Sequence, residues 1–215
     1  MAKIKQGILG GFSGKVAGVV GTSWKGRAVM KSQPLSVANP RTEAQQEQRG
    51  KFSKIAELAS AILTTFVQPV ENPISGNISG YNKFVKDNKA AFSALGKLVA
   101  DNFGCGGGKI INIESPSVLA VRGDTNVTLS WTNSAGLSAI RLTDKVYAVV
   151  FDIDGNVMSV SGGTATRDDG LVDLEFNEGV SALGESQKVV VLFAAVSADG
   201  REVSVFTKAI EKTAV

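Results

Sequence analysis

The sequence predicts an α+β protein with three successive parts: an extended N-terminal arm with a β-hairpin, a two-helix hairpin and a C-terminal β-sandwich. Three observations support this prediction. Glycines and basic residues are concentrated before residue 38, apolar residues recur every three or four positions within residues 39–103, and short apolar runs separated by turn residues fill residues 109–215. A chain of 215 residues is long enough to bury a full-sized core.

Residues 1–38 form the predicted anchoring arm. Between Gly7 and Pro34 there are seven glycines, four basic residues and no acidic residue, yet parts of the segment alternate like a strand. The stretch from Trp24 to Arg27 is predicted to be a hairpin tip, because glycine can adopt the positive φ of a tight turn. Two strands alone are marginally stable in water, so we expect this hairpin to lie against another surface.

The charge of the chain is distributed unevenly. Residues 1–54 carry a net charge of +8 within a total of +3, which leaves −5 for the rest. Apolar residues accompany the basic ones, and this favours docking on a protein neighbour with an acidic surface over a solvated tail. Contact with nucleic acid phosphates is the second interpretation. The residues expected to contact the partner are Phe12, Lys15, Val19, Trp24, Lys25, Arg27, Lys31 and Arg41.

Residues 39–103 are predicted to form a helical hairpin. Asn39 or Thr42 can cap the first helix, and apolar residues from Phe52 onwards recur with helical spacing. Pro69 and Pro73 are expected to end this helix.

A second helix is expected from Ser79 to residue 103, because apolar residues between Tyr81 and Val99 keep the same period. The glycine-rich residues 104–108, which surround Cys105, are expected to be a flexible hinge.

Residues 109–215 are predicted to form an immunoglobulin-like or fibronectin-like sandwich. Seven or eight short strands follow one another, and Trp131 is expected to point inward from an early strand. Asp154-Gly155 and Asp199-Gly200 are flanked by alternating apolar residues, which is typical of hairpin turns.

Catalytic chemistry has little support in the composition. The chain contains no histidine, so the commonest general base and metal ligand is absent, and its single cysteine cannot form an internal disulfide. The sequence DIDGN at residues 152–156 lacks the later ligands of a calcium loop and is interpreted as a hairpin tip. We therefore expect no catalytic residue, cofactor or metal site, and no enzymatic activity.

Membrane insertion and secretion also lack support. No apolar run approaches the roughly 20 residues that span a bilayer, and the N-terminus lacks the apolar core of a signal peptide. We expect the chain to stay in the cytosol or to be assembled there into something larger.

The sequence also resembles a known family. KIKQGILGGFSGKVAGVVGTSWKGRAVMKSQP, followed by NPRTEAQQEQR, is similar to the opening of an uncharacterised family, a domain of unknown function found in Bacteroidetes and their phages. VTLSWTNSAGLSAIRLTDKVYAVVFD and FAAVSADGREVSVF resemble later parts of that family. The resemblance implies no activity, cofactor or catalytic residue.

What the resemblance does imply is a structural role in a phage particle. The expected protein is a minor capsid, decoration or vertex or tail-associated component, a homo-oligomer in contact with other virion proteins, assembled in the bacterial cytoplasm. The alternative is a cytosolic nucleic-acid-associated protein that grips phosphates with its basic arm. A host-surface adhesin that uses the loops of the sandwich is a third interpretation, but the sequence shows no export route for one; the RGD tripeptide at residues 122–124 is interpreted as a turn between strands.

Overall fold

A computed structural model of the chain describes residues 3–4, 11–24, 26–36, 39–111, 113–133 and 138–215. The fold is mixed α and β, and most of its regular segments are strands. The chain divides into two compact units, residues 1–42 and residues 43–215. The helical residues after Glu43 therefore belong to the same unit as the C-terminal sheets.

The first unit contains a four-stranded antiparallel sheet, which we call the N-terminal sheet. Its strands follow one another in chain order. They are β1 (Lys3–Ile4), β2 (Phe12–Val16), β3 (Val19–Trp24) and β4 (Arg27–Ser32).

Two turns separate the longer strands of this sheet. Trp24 pairs with Arg27 and Gly26 has a φ of +78°, so the predicted hairpin tip is present. The predicted extended piece ahead of it is in fact two strands, because the chain turns at Ala17, whose φ is +48°. The unit is thus a sheet rather than a single hairpin.

The first helical stretch of the second unit continues beyond its expected end. Pro69 comes just after a π-helical turn in which the Gln68 N–H donates to the Leu63 carbonyl, and Val67 and Gln68 both have right-handed helical backbone angles. The expectation that Pro69 ends the helix is therefore wrong, and the backbone stays helical to Ile74. The segments are α1 (Glu43–Ala61), a π-helical turn (Leu63–Val67), α2 (Gln68–Glu71) and a 3₁₀ turn (Asn72–Ile74).

The second predicted helix is much shorter than expected. Helix α3 covers Gly80–Asp87 and is capped by Ser79, whose hydroxyl accepts a hydrogen bond from the Asn82 amide. The buried side chain of Asn88 then donates to the Phe84 carbonyl at 3.0 Å and to the Gly104 carbonyl at 2.9 Å. It also accepts from the Gly104 amide at 2.8 Å. These bonds hold the chain in a turn, so the expected helix to residue 103 is wrong.

The glycine-rich segment is part of the packed body, and the expected flexible hinge is wrong. Strand β5 (Gly104–Cys105) is buried and pairs with β12 (Thr207–Lys208). Gly106 has a φ of +87°, and a Cβ at Gly108 would collide with the carbonyl oxygen of Val203. The glycines are required here by close backbone approach and by left-handed geometry rather than by mobility.

Two further sheets complete the second unit. A three-stranded antiparallel sheet has the order β10-β7-β6, and a four-stranded antiparallel sheet has the order β13-β11-β8-β9. A short helix, α4 (Ala139–Leu142), precedes β8. The strands are β6 (Glu114–Leu119), β7 (Asn126–Thr132), β8 (Lys145–Asp152), β9 (Val157–Thr166), β10 (Leu171–Glu175), β11 (Lys188–Val196) and β13 (Ile210–Thr213).

The central strands of the four-stranded sheet, β8 and β11, are buried on both faces. On β11, Val189 and Val191 point into a core shared with the three-stranded sheet, whereas Val190 and Leu192 point into a core shared with α1 to α3. This double burial explains why β11 is a continuous apolar run instead of an alternating one. The helices and both sheets therefore form one body in three layers.

The inward position expected for Trp131 is confirmed. This residue is 6% exposed, and its indole N–H donates to the Arg167 carbonyl at 2.9 Å. Both hairpin turns expected from Asp-Gly pairs are present as well, at Asp154 and at Asp199.

A buried carboxylate attaches the helices to the glycine-rich segment. Glu71 is 1% exposed and accepts hydrogen bonds from the Gly106 amide at 2.9 Å and from Lys83 at 2.7 Å. Lys83 also donates to Asp87 and to the Gly106 carbonyl. Burial raises the pKa of Glu71, although the bonds from Lys83 and Gly106 oppose this rise.

We expect Glu71→Ala to lower the free energy of unfolding by about 3 kcal/mol, because it leaves the buried Gly106 N–H without an acceptor and removes one of the acceptors of Lys83. Glu71→Gln keeps an acceptor and should cost less.

Because the folded pKa of Glu71 lies above its ordinary 4.5, the stability due to this group is full below pH 4.5 and declines as pH rises through the folded pKa. Urea unfolding between about pH 4 and 7 should show this decline in the parent and not in Glu71→Gln. Equal pH profiles for the two proteins would contradict the assignment.

The packing of the glycine-rich segment can be tested through Cys105. Its Sγ contacts the Phe193 carbonyl at 3.4 Å, and burial raises the pKa of the thiol well above its usual range. We expect a thiol reagent to modify the native protein at least a hundredfold more slowly than the same protein in denaturant. Rapid modification of the native protein would show that the segment opens freely.

Candidate partner-binding surface

The N-terminal sheet brings basic and apolar side chains to one face. Lys15 pairs with Val20, which in turn pairs with Lys31, and Thr22 pairs with Val29. Paired residues point to the same side of a sheet, as do residues two apart on one strand. We call this side the basic face; its residues are Lys15, Val20, Thr22, Arg27, Val29 and Lys31.

The basic face is open to solvent. Lys15, Arg27 and Lys31 are all exposed, and Val29 is 40% exposed. None of these three cations has an ion-pair partner within the part of the chain that the structure describes. Residues 1–42 contain seven basic residues and no acidic one, so the unit cannot neutralise itself. An anionic partner is therefore favoured on this face.

The opposite face is partly covered by its own chain. A Cβ at Gly21 would collide with the carbonyl oxygen of Phe12 and would lie 2.6 Å from its ring, and a Cβ at Gly11 would collide with Ala28. Residues 11 and 12, at the start of β2, therefore lie over β3 and β4 at a distance that only glycine at positions 11 and 21 allows. Phe12, predicted to contact a partner, is consequently half-buried against its own sheet.

Apolar side chains remain exposed beyond the covered area. Val16, Val19 and Met30 are 52%, 40% and 70% exposed, and their register places them on the same side as Gly21. A sheet with apolar side chains is stable when a second layer covers it. The N-terminal sheet thus has the properties of a sheet that packs against a second layer of protein.

The structure brings together part of the predicted contact set. Val19 lies on the side away from the basic face, and Arg41 follows the sheet in the segment that leads into α1. Trp24 occupies the last position of β3, opposite Arg27. Lys25 lies outside the described residues.

The predicted contact set does not include Val20, Val29 and Met30, although the sequence marks them as apolar residues of the arm. Their signal was the alternation within β3 and β4, which assigns Val20 and Val29 to the side of Lys15 and Lys31. Only the strand pairing shows which of the alternating residues share a face.

Outside the N-terminal sheet, the polar side chains that resemble a metal-binding loop have a local structural role. Asp152 accepts hydrogen bonds at 2.8 Å from the amides of Asp154 and Asn156, which makes DIDGN the hairpin tip that was expected. Among the described residues, there is no group of three or more Cys, Asp or Glu side chains that could hold a metal ion. The helices of the described segments are all too short or too polar to cross a membrane.

The crossing at Gly21 gives a test of the sheet geometry. We expect Gly21→Ala to displace Phe12 and to speed tryptic cleavage of the N-terminal sheet about tenfold, with no change in the melting of residues 43–215. Gly18→Ala is the matched control, because a Cβ at Gly18 meets no atom within 4 Å. Equal cleavage rates for the two variants would contradict the crossing.

Comparison with solved structures finds weak likenesses at low sequence identity. A structure titled "Myokine structure" is 14% identical with a TM-score of 0.34, and covers 50% of this chain and 100% of that chain. A crystal structure of chicken CNTN1 FN1-FN3 domains is 8% identical with a TM-score of 0.32, and covers 49% of this chain and 32% of that chain. No curated protein matches the chain.

A comparison with family profiles gives a match over nearly the whole chain. The profile described as "Family of unknown function (DUF6266)" matches residues 11–207, which include most of the N-terminal sheet and almost all of the second unit. The chain therefore belongs to this family of unknown function, DUF6266.

Proposed function

We propose that the protein is a non-enzymatic structural component of a phage virion, attached to the particle by residues 1–38. It serves as a minor capsid, decoration or vertex or tail-associated protein and is assembled in the cytoplasm of the bacterial host. Residues 109–215 form an immunoglobulin-like sandwich that is displayed from the attached arm. The face-to-face sheets of the second unit and the inward Trp131 support this description of the sandwich.

The single observation that carries the proposal is the N-terminal sheet. It exposes Val16, Val19, Val29 and Met30 and has a face with three unpaired cations among the described residues. Exposed apolar area next to charges of a single sign is typical of a protein-docking surface. The assignment of the partner to a virion derives from the sequence resemblance to phage-associated proteins.

The basic face also favours a second candidate function, the binding of nucleic acid. Lys15, Arg27 and Lys31 lie on one side of the sheet, where they could contact successive phosphates. The two functions differ in their response to salt. A phosphate clamp loses affinity by orders of magnitude between about 50 and 200 mM salt, whereas an apolar docking contact loses much less.

The test of the proposed function is mass spectrometry of purified particles from a strain that carries this gene. We expect the full chain at a stoichiometric level, and we expect a variant lacking residues 1–34 to be absent from particles while its second unit still folds. The variant Lys86→Glu/Lys89→Glu, which changes exposed lysines of the second unit, is the control and should be incorporated normally.

Two outcomes would overturn the proposal. One is the absence of the full chain from particles. The other is co-purification of DNA or RNA that depends on residues 1–34 and disappears at about 200 mM salt, which would establish the second candidate.

A further inference from the structure

The second unit carries a sheet face whose charge is opposite to that of the basic face. In the three-stranded sheet, Leu171, Asp173 and Glu175 alternate with buried residues along β10 and are themselves exposed. Glu114 and Leu119 are exposed on β6 at the other edge. We call this side the outer face; its residues are Glu114, Leu119, Thr128, Leu171, Asp173 and Glu175.

The strand register confirms that these residues share one side. Leu119 pairs with Thr128, which pairs with Asp173, and Glu114 pairs with Thr132 on β7. The hydroxyl of Thr128 donates to Asp173 at 2.6 Å, across two neighbouring strands. The opposite side of the same sheet holds Val118, Leu129 and Val172, which are buried in the core. Within the described residues, the side chains of Glu114, Leu119, Leu171, Asp173 and Glu175 on the outer face are exposed, whereas the opposite side of the sheet is covered.

Only acidic charges occur on this sheet. The strands β6, β7 and β10 contain Glu114, Asp173 and Glu175 and no lysine or arginine. In the described residues, none of the three carboxylates has an ion-pair partner. Strands β2 to β4 of the N-terminal sheet show the opposite pattern, with three cations and no acid.

Both surfaces also carry exposed apolar side chains, on the edge strands β6 and β10 of the outer face and on the edge strand β4 of the basic face. Leu119 and Leu171 are 55% and 51% exposed on the outer face, and Val29 is 40% exposed between Arg27 and Lys31 on the basic face. Two sheets stack about 10 Å apart when apolar side chains interdigitate between them. Charges of opposite sign around such a contact align the partners and exclude pairing of like faces.

We infer that the docking partner of the basic face is the outer face of a second copy of this chain. This inference rests on the proposed docking role of residues 1–38 and names its partner. The two surfaces differ from each other, so the contact is head-to-tail, and successive copies form a ring or a filament. The outer face spans only three short strands, so we expect a small contact whose association depends on protein concentration.

Sedimentation velocity of the full chain at several concentrations in about 50 mM salt tests the inference. We expect larger species at high concentration and their loss at about 500 mM salt, because the contact is charge-assisted. Arg27→Glu/Lys31→Glu and Glu114→Lys/Glu175→Lys should each stay monomeric at concentrations where the parent associates. The variant that combines all four substitutions should associate again, because both signs are exchanged.

Two controls separate a lost contact from a lost fold. Thermal unfolding should give a native transition for every variant, and Asp101→Lys/Glu57→Lys should associate like the parent, since Glu57 lies on α1. The latter makes the same change of charge at exposed residues away from the outer face.

Three results would overturn the inference. They are a parent that is monomeric throughout, association that survives both charge reversals, and a four-substitution variant that stays monomeric while folded. Particle incorporation decides the proposed function separately: incorporation that needs residues 1–34 in a protein that never self-associates would leave that function standing with a different partner.

Discussion

The second unit depends on one constraint, the burial of strands β8 and β11 on both faces of their sheet. Residues of β8 and β11 alternate between a core against the helices and a core against the three-stranded sheet. Removing either neighbouring layer would expose a row of valines, leucines and phenylalanines. The helices are therefore not an appendage of the sandwich but its third layer, and the glycine-rich segment between them is held tightly by Glu71 and Asn88.

Local sequence signals predicted those elements whose geometry is decided locally. Helix α1 and the hairpin turns at Gly26, Asp154 and Asp199 follow from capping residues, apolar spacing and glycine. The early end of α3 was not predictable in this way, because apolar residues keep helical spacing up to Val99. The bonds from Asn88 to Gly104 that end the helix join residues 16 apart. The glycine run was misinterpreted for the same reason, since contact with Val203 is not visible in a sequence.

The candidate surface was predictable in its charge and not in its geometry. Composition alone identifies the basic residues of the arm, and the structure places Lys15, Arg27 and Lys31 on one side of a sheet. Composition could not show that Phe12 covers Gly21 of its own sheet, or that Val20 and Val29 lie on the same face as the lysines. The positions of the turns decide which alternating residues share a face. The turn at Ala17 was not predicted, because its left-handed position is occupied by alanine rather than by glycine.

The single-signed basic face has a consequence for how ionic strength acts on the protein. Lys15 and Lys31 are separated by one strand, a distance of about 10 Å, which is comparable to the Debye length in physiological salt. Their mutual repulsion destabilises the isolated sheet, and added salt relieves it. The same salt weakens attraction to an acidic partner. Folding of the sheet and its proposed docking should therefore respond to salt in opposite directions, because the carboxylates of an acidic partner would take the place of the missing counter-ions.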